Sequence, residues 1–181
     1  MIVALAGRRV DPPGAAVPRF PLENASAVRT RIAALLAATH AATLVCSAAC
    51  GAYLLALDSA RELSIDYHIL LPFSKDRFRA ISVVDRPGDW GPIFDRAIER
   101  AEAAGNLVTF DLPETEEASF LAVNQAVFTR ARVIARSHAQ PLQAVLVWDG
   151  QPRDAEDITA AFGAEAKGLD IPLLEISTLT K

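Results

Sequence analysis

Reactive side chains are scarce in this sequence: 181 residues include two cysteines, one methionine and three histidines. So few cysteines cannot frame a disulfide-dense secreted scaffold, and a reducing cytoplasm is the expected compartment. Aromatics make up 7% of the chain, and much of its 51% hydrophobic content is alanine, which favours closely packed helices over an aromatic-lined sandwich. Neither sign of charge dominates. The 18 Lys+Arg against 22 Asp+Glu leave a net charge of -4, so no whole-surface attraction for nucleic acid is expected.

Long hydrophobic runs are missing too. Ile32 to Leu57 holds no Asp, Glu, Lys or Arg, but Thr39, His40, Thr43, Ser47 and Gly51 interrupt it, and its period changes from helix to strand to helix. Three elements explain that stretch better than one membrane span. Met1 to Gly7 is too short for a signal sequence and lacks a basic leader, so export is not expected. Gly-x-Ser-x-Gly, His-Glu-x-x-His, Walker A and Gly-x-Gly-x-x-Gly are all absent. Lipase, zinc protease, P-loop NTPase and dinucleotide dehydrogenase readings lose their usual grounds with them.

What is present is a regular alternation of strand and helix patterns. Strands are expected at Ile2–Ala6, Thr43–Cys46, Asp66–Leu71, Leu107–Phe110, Ala144–Trp148 and Pro172–Ile176. Helices are expected from Asn24 or Ser26 to Ala38, Ala52 to Leu63, Gly91 to Gly105, Glu116 to Ser137 and Asp154 to Lys167. Val10 to Pro21 carries four prolines and reads as an extended loop, and Phe73 to Gly91 reads as irregular chain or short helices. Apolar strands separated by helices predict an α/β fold: a three-layer, Rossmann-like parallel sheet of about six strands with helices on both faces. One domain spanning residues 1–181 is expected, exposing roughly 8,500 Å².

In such a fold, ligands bind at the carboxyl ends of the strands, where helix N-termini offer free N–H groups. Gly7, Arg8 and Arg9 follow the first strand, and the arginines can clamp a phosphate or carboxylate. Ser47, Ala48, Ala49, Cys50 and Gly51 follow the second; small residues there let backbone amides approach a phosphate, although Ser47 also suits a helix cap and Gly51 a packing role. Asn124 shares the sheet-facing side of its helix with Phe120 and Phe128, where its amide can meet a sugar or base or tie nearby backbone. Trp90 can stack on a base or anchor its own loop. Asp149 and Gly150 end the fifth strand, and Asp85, Asp89 and Asp149 are the candidate catalytic acids. Cys46 and Cys50, without nearby histidines, read as free buried thiols, and neither a metal site nor a cofactor is expected.

These residues resemble the SLOG superfamily, the Rossmann-like group that contains the SMF/DprA proteins and the LOG phosphoribohydrolases. The first strand followed by Gly7-Arg8-Arg9 is similar to the glycine and basic residue found there in many members. Cys46-Ser47-Ala48-Ala49-Cys50-Gly51-Ala52-Tyr53 resembles the family's phosphate-binding turn, with Ala48 replacing a glycine and Tyr53 standing where aspartate is common. Asn124-Gln125 and Trp148-Asp149-Gly150 resemble further family positions, whereas Pro152 to Asp157 replaces a Gly-Gly-Thr and the phosphoribohydrolase signature is missing.

The resemblance implies a pocket for a nucleotide or nucleotide derivative, used for binding or sensing as in bacterial defence and stress systems. Its alternatives are an N-glycoside hydrolase or transferase acting on nucleosides or nucleotides, and a degenerate structural or protein-interaction domain. The expected partners are a nucleotide-like small molecule and either a second copy of the chain or a separate effector. No membrane or nucleic-acid partner is expected.

Overall fold

Six apolar runs become strands in the computed structural model, which describes residues 1–114 and 117–179. They are β1 (Ile2–Gly7), β2 (Thr43–Cys46), β3 (Asp66–Leu71), β4 (Leu107–Thr109), β5 (Leu142–Trp148) and β6 (Leu173–Ser177). All pair in parallel, in the order β4-β3-β2-β1-β5-β6. Parallel strands covered on both sides have no solvent face, which is why every residue of β1 is apolar or glycine and every one is buried. The accessible surface is 8449 Å², close to the value expected from chain mass.

The connecting helices are α1 (Ala25–Ala38), α2 (Ala52–Glu62), α3 (Lys75–Ser82), α4 (Gly91–Ala103), α5 (Glu117–Ser137) and α6 (Ile158–Gly168). One face of the sheet carries α1, α2 and α4 in a row, and the other carries α5 and α6. Long α5 crosses the sheet with Val123, Val127, Ala131 and Ile134 buried, and Phe128 stacks on Phe162 of α6 with centroids 4.4 Å apart. This is a Rossmann-like α/β fold, six parallel strands flanked by helices on both faces.

Strand order sets where a ligand can enter. From β1 the chain steps outward through β2, β3 and β4, then α5 carries it back across the sheet to β5 on the opposite side of β1. The direction of winding reverses between β1 and β5, and a crevice opens beyond their carboxyl ends.

Most element boundaries fall within two residues of the sequence reading, and the differences have local causes. The segment Phe73–Gly91 contains a regular helix, α3, whose Phe78 packs against Phe73 and Phe94. The expected start of α5 at Glu116 lies outside the described residues. The last helix starts at Ile158 rather than Asp154, because Asp157 acts as its cap and accepts the amides of Thr159 and Ala160. Among the described residues, no helix is long and apolar enough to cross a membrane.

Candidate functional site

Two glycines bring the first two strand ends together. A Cβ at Gly7 would lie 2.6 Å from both the Ala52 Cβ and the Val147 carbonyl, so only glycine lets the start of α2 abut the end of β1. Gly51, at φ 86°, comes so close to the chain after β1 that a Cβ there would lie 2.8 Å from the Arg8 carbonyl and the Val10 nitrogen. The Ala52 amide donates to the Arg8 carbonyl at 3.1 Å and the Cys50 amide to the Ser82 carbonyl at 2.9 Å. One amide of the 47–51 turn and the first amide of α2 are therefore engaged by the fold.

Beyond this junction lies a cavity of about 500 Å³. Its wall takes Gly7, Arg8 and Arg9 from the end of β1, Ser47 and Ala49 from the turn after β2, and Tyr53 from the first turn of α2. The proline-rich loop contributes Val10, Asp11, Pro12, Ala15, Val17 and Arg19, and the rest comes from α3, Arg86, the N-terminal half of α5, Arg153 and the start of α6. The size suits a drug-sized or mononucleotide-sized ligand.

Arg8, expected to clamp an anion, lines this wall but has its guanidinium bound within the fold. Its Nε donates to Asp149 at 2.8 Å, its Nη1 to both Asp157 oxygens at 2.8 and 2.6 Å, and its Nη2 to the Gln151 carbonyl at 2.6 Å. The Trp148 ring lies 5.8 Å from its guanidinium carbon. Burial alone would raise the Asp157 pKa; the amides of Arg153 and Ala160 and the Arg8 guanidinium outweigh it, holding this carboxyl below its ordinary value.

Arg9 takes the other direction, toward Asp85 and the Cys50 thiol. Arg86 reaches the same Asp85 at 3.4 Å, so two guanidinium groups share one carboxylate. On the opposite side, Arg8, Arg19 and Arg153 share Asp149 and Asp157. Each cluster holds one more arginine than carboxylate. Asp11 is turned to the loop itself, accepting the amides of Arg19 and Phe20, while Glu117 adds one negative charge at the wall.

Of the sequence candidates, Gly7, Arg8, Arg9, Ser47, Ala49 and Asn124 meet at the cavity. Ala48, Cys50 and Gly51 shape the turn behind it, with Ala48 and Cys50 fully buried. Asn124 donates its side-chain amide to the Ile158 carbonyl at 3.0 Å, joining α5 to α6 at the cavity edge. Trp90 is buried with its indole N–H on the Pro87 carbonyl at 2.7 Å, and it does not line the cavity. Asp85, Asp89, Asp149 and Gly150 do not line it either. The first and third of these acids are paired with arginines, and Asp89 is exposed.

Several contributors had no signal in the local sequence. Arg19, Arg86 and Arg153 sit in three separate loops with no pattern linking them, and Phe120 reads as an ordinary core residue of α5. Asp157 was detectable: an acid directly before the apolar Ile158-Thr159-Ala160-Ala161-Phe162 run is a helix-start signal. Among the described residues, no cluster of three or more His, Cys, Asp or Glu side chains could hold a metal ion.

Comparison with protein-family models gives no match, and comparison with curated proteins gives none. Among solved structures, the chain is similar to the X-ray structure of DNA processing protein A (DprA) from Streptococcus pneumoniae, with a TM-score of 0.43 and 14% sequence identity. The match covers 95% of this chain and 57% of that one, so the chain spans just over half the length of the protein it resembles. It is a distant structural likeness.

Proposed function

We propose that the cavity binds a small phosphorylated ligand of the nucleotide class, for binding or sensing. The observation that carries this reading is the cavity's composition at the strand-end crevice. Arginine clusters each exceed their carboxylates by one charge, and they share the cavity with the apolar and aromatic side chains of Phe78, Phe120, Val123 and Ile158. Two guanidinium groups sharing one carboxylate keep a surplus positive charge for a further oxyanion without the cost of an isolated buried charge.

The phosphate belongs beside Arg9 and Arg86, near Ser47 and the start of α2, where the helix dipole adds to the arginines. Base and sugar belong toward Phe120 and Asn124. Asp11 and Glu117 at the wall offset part of the arginine surplus, so the site suits one or two negative charges better than the four of a nucleoside triphosphate. The crevice is open, which favours this reading over a domain whose pocket has closed.

Calorimetry and thermal-shift assays against nucleoside mono- and diphosphates, cyclic nucleotides and ADP-ribose test it. Saturable binding of a phosphorylated member, with the matching nucleoside much weaker, is the expected result. Absence of heat and of thermal shift across the whole panel would remove it.

A further inference from the structure

Among the groups lining the cavity, Tyr53 combines deep burial with a hydroxyl whose oxygen accepts from the Gly7 amide but whose O–H the fold leaves undonated. Its side chain stands at the second residue of α2, and the residue is 9% exposed. Among the described residues, the two polar side-chain atoms sealed from solvent without a partner are the Nε atoms of Arg9 and Arg130. The Tyr53 hydroxyl is not one of them. It accepts from the Gly7 amide and donates to no acceptor among the described residues, and its residue forms part of the cavity wall.

We infer that Tyr53 is a ligand-selecting residue, donating its O–H to a proton-free oxyanion oxygen of the molecule bound in this cavity. The inference rests on the proposed anion-binding reading of the site and names a group that reading does not need. Burial pushes the phenol up to about 12, against the opposing influence of the Gly7 amide and, more weakly, of the Arg8 and Arg9 charges. At neutral pH the group is therefore a neutral donor, and it cannot repel an anion as a carboxylate at the same place would. The neighbouring guanidinium groups are donors as well. A ligand group at this end of the cavity must accept hydrogen bonds, so a phosphate or carboxylate oxygen fits and an amine does not.

The test is Tyr53→Phe, which keeps the ring and removes the hydroxyl. Nothing in the fold accepts that O–H and only the Gly7 amide meets the hydroxyl, so the ligand-free melting temperature should fall by no more than the loss of one neutral hydrogen bond, whereas binding of adenosine monophosphate and of inorganic phosphate should weaken roughly 10- to 100-fold, as expected for a hydrogen bond to a charged group. Adenosine, which lacks the phosphate, should bind both proteins alike. A near-ultraviolet difference spectrum on adding inorganic phosphate gives a second readout: a tyrosine signal is expected in the unaltered protein and not in Tyr53→Phe.

Equal affinity of both proteins for adenosine monophosphate would overturn the inference and leave the anion site standing. A steep fall in the ligand-free melting temperature would assign the hydroxyl to the fold and also overturn it. Failure of the unaltered protein to bind either phosphate-bearing probe would remove the anion site itself, and this role with it.

Discussion

Arg8 and Asp157 are joined by two hydrogen bonds, of 2.8 and 2.6 Å, across 149 residues of chain. Asp157 is also the cap of α6, so one buried carboxylate fixes the start of that helix and holds the strand-end arginine in place. Removing it breaks both functions. Asp157→Ala should cost about 3–5 kcal/mol, the usual effect of leaving one partner of a buried ion pair alone. Asp157→Asn retains a capping oxygen and should cost less. Urea unfolding measures both, and an Asp157→Ala loss below about 1 kcal/mol would show that the pair contributes little.

The same carboxylate predicts loss of stability in acid. Its folded pKa lies below the ordinary value, so its contribution is complete above the unfolded carboxylate range, near pH 4, and disappears as pH falls through the folded pKa. His68 acts on the same side of the pH scale. Burial first, and the Arg130 charge second, lower its pKa, so the folded state resists protonation that the unfolded chain accepts below about pH 6.5. Melting temperature should therefore fall in two stages on acidification, with Asp157→Asn removing part of the lower one. A profile flat from pH 7 to pH 3 would contradict both assignments.

Close approach of β1 and α2 predicts that Gly7 and Gly14 respond differently to alanine. At Gly7 the added methyl meets Ala52 and the Val147 carbonyl at 2.6 Å, an overpacking that should cost about 1–3 kcal/mol or more. At Gly14 there is open space, and a positive φ of 72° leaves only the left-handed backbone penalty of roughly 1 kcal/mol. Equal melting temperatures for the two variants would show that the junction is looser than described.

Arg86 provides a test of charge at the cavity that leaves the buried Arg8 cluster intact. Its side chain is 24% exposed and shares Asp85 with Arg9. Arg86→Met should weaken a phosphorylated ligand about tenfold, with little effect on the corresponding nucleoside or on unfolding. Matching losses for nucleoside and nucleotide in calorimetry would assign Arg86 to packing instead.

The layered fold was legible because its strands are bounded by strong punctuation. Pro72 ends β3, Gly51 opens α2, and the change of period at Thr43 marks β2, which spans the expected residues. The start of α6 was harder to place because Asp154 and Asp157 are both competent caps. Asp157 is stabilised in that position by Arg8, a contact far away in sequence. Site residues followed the same rule. Gly7, Ser47 and Ala49 stand at strand ends and could be found by position, whereas Arg19, Arg86 and Arg153 meet only through the folded loops. Trp90 looked available for stacking because it lies in a polar loop, but that loop folds over it and satisfies its indole N–H.

A crystal structure of the protein with adenosine monophosphate tests the ligand reading most directly. The expected result is phosphate beside Arg9 and Arg86 at the end of β2, with the base against Phe120 and the Tyr53 hydroxyl on a phosphate oxygen. A nucleotide bound elsewhere, or an empty cavity at saturating ligand, would contradict the assignment.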